Sequence, residues 1–336
     1  MIRIRGLDSI RALCALWVVV GHFGVPPILF WIDRSTVSGW LITGIYGNFW
    51  NGPAAVIVFF VISGFCIHYP YSRSLRIPSV TEYLTRRYLR ICIPMLAAIA
   101  ASAYVGITIG LFHGSILWSL AAELVYYTIF PLFLRLRRYG VAWEWMIALS
   151  YLPAFAIGSM DPASKDYAAF GLSLNWLMGL PCWLIGCALA EAVSLGRFPK
   201  AAPIWRCRFL VWSVSVICSI LNFHSPLVHV WTLNLFALVA GWWLALEIRR
   251  YQTQFPSPFL ERAGLGSYSL YLTHLAAGAA VSMMGLPDLG VTVNWILRIG
   301  VVLGMAYLFY RLVEFPAHRL ARLAGRALAN PGVSPQ

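Results

Sequence analysis

The stretch RGLDSIRALCALWVVVGHF, residues 5–23, decides the fold. From Leu7 onward it is an apolar run of the length a helix needs to cross the ~30 Å hydrocarbon layer, roughly 20 residues. Asp8, Arg11 and His22 are its ionisable exceptions. Arginines ahead of an apolar run resemble a secretory leader. Here Arg11 and His22 interrupt the run and no small-residue cleavage site follows, so it reads as a retained first membrane helix.

Working outward, runs of the same kind recur along the chain. The predicted spans are 7–25, 52–70, 91–112, 116–134, 141–159, 169–191, 208–223, 228–247, 265–285 and 292–313. Spans three and four are separated by only His113, Gly114 and Ser115. The composition agrees: charged residues are 11% of the chain, against about 25% in a soluble domain. The expected fold is all-α, a polytopic integral membrane protein of about ten transmembrane helices. One membrane domain is expected over 1–320, with 321–336 a short, unstructured cytoplasmic tail.

The net charge of +13 could suit nucleic acid, but its placement says otherwise. With the N-terminus inside, the loops on the cytoplasmic side hold 21 of the 25 lysines and arginines. The outer loops hold only Arg34 and Lys165, and Arg11 with Arg298 lie within spans. This is the positive-inside pattern of a protein in the cell inner membrane with both termini cytoplasmic, with lipids as partners and no nucleic acid. The seven cysteines fall in or beside apolar runs, without the spacing of a disulfide framework or a metal site, so no metal is expected. The outer connection, residues 26–51, is aromatic throughout. An interfacial belt and a sugar-stacking lip over a site both fit it.

Ionisable side chains inside a membrane are costly and are functional candidates by default. Arg11 and His22 are eleven residues apart, about 20° from three full turns and roughly 16 Å along the axis. They share one face of the first span, with Asp8 on the same stripe. A long anionic ligand held at one end and delivered to the imidazole at the other fits this face; so does a snorkelling arginine with an unrelated structural histidine. In LWSLAAELVYYTIFP, residues 117–131, Ser119, Glu123, Tyr126 and Tyr127 are spaced i, i+4, i+7 and i+8 on one helix face. The predicted topology puts Glu123 at about the depth of His22, where a carboxylate would fix the tautomer of a general base. A polar cluster that only packs helices together would look the same.

RRYLRICIP, residues 86–94, gathers Arg86, Arg87 and Arg90 at the cytoplasmic mouth. Clustered arginines there bind phosphates or anchor a helix to anionic lipid. SYSLYLTH, residues 267–274, brings Tyr271 and His274 to mid-membrane depth, where a lone histidine is more often structural than catalytic.

Together these stretches resemble the acyltransferase-3 family of membrane proteins, which O-acylate surface and secreted glycans. RGLDSIRALCALWVVVGHF resembles its first helix, with the Arg-x10-His spacing at Arg11 and His22. VFFVISGFCI resembles its second helix, and RRYLRICIP its RxxR motif at Arg87 and Arg90. LWSLAAELVYY resembles its W-S-L-x-x-E signature, and SYSLYLTH with RLVEFPAHR the end of the domain. Leu124 stands where the family often carries a second acid.

The resemblance implies an acyl-coenzyme A donor, most often acetyl-CoA, entering from the cytoplasm, and a saccharide or glycolipid acceptor on the outer side. By position, His22 is the expected base and Glu123 its assistant. Arg11, Arg86, Arg87 and Arg90 are the expected donor-binding residues. Asp8, Trp118, Ser119, Tyr127, Tyr271 and His274 are the expected supporting residues. A transporter or flippase of an anionic lipid or glycan is the competing expectation, since the same polar track could guide a phosphate. It lacks the internal repeats and broken helices that such proteins show.

Overall fold

The computed structural model describes residues 4–107, 116–162, 164–165, 167–285 and 288–329. Among them the regular structure is entirely helical. The helices are α1 (Leu7–Phe23), α2 (Val37–Gly47), α3 (Gly52–His68), α4 (Val80–Tyr104), α5 (Trp118–Arg138), α6 (Trp143–Met160) and α7 (Gly171–Ser194). They continue with α8 (Ile204–His224), α9 (His229–Thr253), α10 (Pro258–Leu265), α11 (Ser267–Met283), α12 (Val291–Phe309) and α13 (Phe315–Ala329). A π turn, Tyr310–Glu314, joins the last two.

Six helical stretches are long and apolar enough to cross a membrane, those containing α3, α5, α7, α8, α9 and α12. The chain is a polytopic helical membrane protein. The other four predicted spans are also helical, as α1, α4, α6 and α11. The tight turn expected at His113, Gly114 and Ser115 lies outside the described residues.

The structure departs from the sequence expectation where a helix is polar or short. α4 starts at Val80, well before the apolar run, because the Ser79 hydroxyl accepts from the Glu82 N–H at 3.2 Å and caps it. The aromatic connection over 26–51 contains α2, capped in the same way by Thr36, whose hydroxyl accepts from the Gly39 N–H at 3.1 Å. The tail expected to be unstructured from 321 is helical as far as Ala329. Its order comes from packing: Ala317, Ala321 and Gly325 recur every four residues on the face α13 turns to α4, and the Arg86 side chain lies over Gly325.

The bundle is built around α3 and α7, its most extensively paired helices. A β-carbon on Gly64 would meet the Trp183 carbonyl oxygen at 2.0 Å, and one on Gly186 would meet that of Val61 at 2.0 Å. Hydrogen at both positions lets the backbones touch. In a membrane, where no hydrophobic effect drives helices together, such small-residue crossings supply the van der Waals contact that does. The crossing fixes Ser63, beside Gly64, against the indole of Trp183, whose Nε1–H donates to the Ser63 hydroxyl at 3.3 Å.

Candidate active site

Five helices leave a cavity of about 120 Å³ between them. α1 contributes Arg11, α3 Ser63 and Cys66, and α4 Arg87 and Arg90. α5 contributes Ser119, Glu123 and Tyr127, and α11 Tyr268 and Tyr271. Seven residues singled out in the sequence, from four separate helices, therefore meet around one space. Asp8 stands beside it, its carboxylate 3.6 Å from the Arg11 guanidinium.

The cationic wall is made by Arg11, Arg87 and Arg90. Arg87 lies over the rings of Tyr83 and Tyr127, at 5.9 and 5.8 Å from their centroids. Arg90 donates through Nε–H to Nε2 of His318 at 3.1 Å. Among the described residues neither is paired with a carboxylate, so an anionic ligand meets uncompensated charge there. Arg86 is different: it points away to Glu82 at 2.6 Å and over α13, and does not line the cavity. Arg298 is exposed on α12, also away from it.

The Glu123 carboxylate accepts from the hydroxyls of Ser63 and Tyr127, the same Tyr127 over whose ring Arg87 lies. At the start of α5 the Ser119 and Tyr271 hydroxyls share a hydrogen bond of 2.8 Å, and both lie within reach of the Ile116 carbonyl, at 3.3 and 2.8 Å. Tyr126, the fourth member of the predicted α5 face, turns away from the cavity into the packing against α7 and donates to the Trp176 carbonyl at 2.7 Å. Trp118 sets the start of α5 through edge-on contacts with Phe60 and Tyr167.

His22 is exposed and lies outside the cavity lining. Its Nδ1 is 2.9 Å from the Val18 carbonyl and 3.3 Å from Nε2 of His274. The expected neighbour, Glu123, makes no hydrogen bond or ion pair with it. Matching depths on two helices do not fix the angle at which a side chain leaves its axis, and Glu123 has two hydroxyls nearer to hand. Tyr271 links the two halves of the site. It lines the cavity, and its own carbonyl accepts from Nδ1 of His274 at 2.8 Å.

Three participants escaped the sequence reading. Ser63 was hidden in an apolar run. Glu314 is buried, accepts from the Ser269 N–H at 3.0 Å and hydroxyl at 2.5 Å, and stands 3.6 Å from His318. The i, i+4 pair Glu314 and His318 in RLVEFPAHR was the available signal. Hydropathy alone does not show it, because Glu314 follows the predicted span, which ends at 313, and the π turn that carries it inward leaves no mark there. Among the described residues no group of three or more His, Cys, Asp or Glu is placed to hold a metal ion.

The family model for acyltransferase 3, described as an acyltransferase domain, matches residues 4–311. The chain belongs to this family. The general activity of an acyltransferase 3 protein, acyl transfer by a membrane-embedded enzyme, is thus the activity of this chain. The match takes in every cavity-lining residue of this acyltransferase and ends within the π turn, just short of Glu314 and His318. No curated protein and no solved structure gives a significant match to it.

Proposed function

We propose that this acyltransferase moves an acyl group, acetyl by its family likeness, from cytoplasmic acyl-CoA to a hydroxyl of an extracytoplasmic saccharide or glycolipid-linked glycan. In this reading ten helices span the inner membrane, both termini are cytoplasmic, and His22 is the general base. One observation carries it: Arg87 and Arg90 present positive charge unpaired with any carboxylate to a cavity that Tyr271 also lines, and the Tyr271 carbonyl holds His274, which faces His22. That fits a donor with phosphates at one end of a slender arm. Arg11, Arg87 and Arg90 would hold the phosphates, and the arm would lie past Glu123.

The chemistry asked of the residues is modest. His22 takes the proton of the acceptor hydroxyl as its oxygen attacks the thioester carbonyl, then returns the proton to the departing thiolate. Glu123, held by Ser63 and Tyr127, acts on the donor side of the cavity and not on His22. The test is transfer of labelled acyl groups from acyl-CoA in proteoliposomes by the parent and by a folded His22→Ala variant. Loss of transfer is expected; full retention sinks the reading. Movement of an anionic lipid or glycan across the bilayer without any acyl-CoA would favour a flippase instead.

A further inference from the structure

We propose that His274 is a positioning residue that holds His22 in the Nδ1–H tautomer, leaving Nε2 of His22 as the atom that takes the acceptor's proton. This rests on the reading of His22 as the general base.

The assignment follows from which neighbours can only accept. Nδ1 of His274 lies 2.8 Å from the Tyr271 carbonyl and 3.3 Å from that of Leu270. A carbonyl has no proton to give, so this Nδ1 carries the hydrogen, and Nε2 of the neutral ring is left with its lone pair. That lone pair faces Nδ1 of His22 at 3.3 Å. Nδ1 of His22 is also 2.9 Å from the Val18 carbonyl. Two acceptors converge on one nitrogen, which must therefore be the protonated one. Among the described residues Nε2 of His22 has no hydrogen-bond partner, and the ring is exposed while that of His274 is fully buried.

Packing enforces the encounter. The two rings lie 4.9 Å apart. One residue after His22, the Phe23 ring occupies the space where a β-carbon on Gly278 would stand, at 2.1 Å. Gly278 is one helical turn beyond His274. α1 and α11 are thus keyed together beside the histidine pair. In hydrolytic triads the group that orients the base is a carboxylate; here a neutral imidazole supplies the acceptor. When His22 gains its second proton at Nε2, Nδ1–H keeps both acceptors, so nothing has to rearrange. The proton then leaves from Nε2 to the coenzyme A thiolate.

The experiment uses the full-length protein in nanodiscs. His274→Leu removes the acceptor, and His274→Gln returns one at the place of Nε2. Relative to the parent, His274→Leu should lower kcat about 10- to 100-fold, the range for a lost hydrogen bond to a charged group, with the KM for acyl-CoA unchanged. His274→Gln should recover most of that loss. Nitrogen NMR of histidine-labelled protein, with His22 assigned by its disappearance in His22→Ala, should show a protonated Nδ1 and a bare Nε2 at His22. In His274→Leu the tautomers should become mixed. Unchanged kcat, equal impairment by Leu and Gln, or an unaltered His22 tautomer in the Leu variant would overturn the proposal. Retained transfer by His22→Ala would instead remove the base reading, and the NMR result would still decide whether His274 sets the tautomer.

Discussion

On α5 the Tyr127 hydroxyl donates to the carboxylate of Glu123, one helical turn earlier, and both side chains line the central cavity. Ser63 donates to the same carboxylate from α3. Both donate to one oxygen, Oε1, so glutamine could keep both bonds whereas alanine leaves the two hydroxyls without their acceptor. Glu123→Ala should therefore lower the acyl-transfer rate about 10- to 100-fold, the scale of one or two lost hydrogen bonds to a carboxylate. Initial rates in proteoliposomes measure this. An unchanged rate would leave the carboxylate a packing feature.

The three arginines of RRYLRICIP separate cleanly. Arg87→Ala and Arg90→Ala each remove a cavity-lining cation and should raise the KM for acyl-CoA about tenfold or more. Arg86→Ala removes a side chain that is engaged with Glu82 and does not line the cavity, and should leave that KM within about twofold. A steady-state comparison of the three variants decides the matter, and equal effects at all three positions would refute the separation.

Cys66 gives a direct view of occupancy. Its thiol is exposed and lines the cavity beside the arginines, whereas Cys14 and Cys92 are half-buried and the remaining four cysteines are buried. Acyl-CoA at ten times its Kd should slow alkylation of Cys66 by about tenfold, by simple occupancy. Site-resolved mass spectrometry after maleimide treatment reads the protection. Alkylation of Cys66 at an unaltered rate would place the donor elsewhere.

Gly186→Ala tests the frame that holds Ser63. The added methyl meets backbone, not a side chain that can swing aside, so α3 and α7 must separate. Overpacking of this kind costs about 1–3 kcal/mol. The variant should unfold at a lower temperature in detergent, and Gly64→Ala should do the same. A midpoint equal to the parent's would show that the crossing has slack.

Which polar residues meet around the cavity was more legible in the sequence than how they connect. Arg11, Arg87, Arg90, Ser119, Glu123, Tyr127 and Tyr271 were legible because a polar residue in an apolar run is conspicuous, and helical spacing says which of them share a face. Partnership was not legible. Depth along an axis is set by counting residues, but the angle between two helices is set by packing, and a crossing such as Gly64 on Gly186 is invisible in a hydropathy profile. Glu123 was therefore matched with His22 when its partners are Ser63 and Tyr127, and His274 was read as a lone histidine when it faces His22. Helix order at the polar ends was missed for a related reason. α13 and the first turns of α4 have too few apolar residues to register as spans, and they stand because they lean on each other.

The π turn at Tyr310–Glu314 works as a phase setter. It holds one residue more than an α-helical turn would, so every side chain after it is advanced by about 100°. That offset puts Glu314 against Ser269, His318 against Arg90, and the Ala317, Ala321 and Gly325 stripe against α4, all at once. Leu312, largely exposed within the turn, can change to another apolar side chain at little cost. Removing any one residue from the turn is another matter: it would rotate the whole C-terminal helix off its seat and take the imidazole away from Arg90. What the turn contributes is a count, and only a change in length can corrupt it.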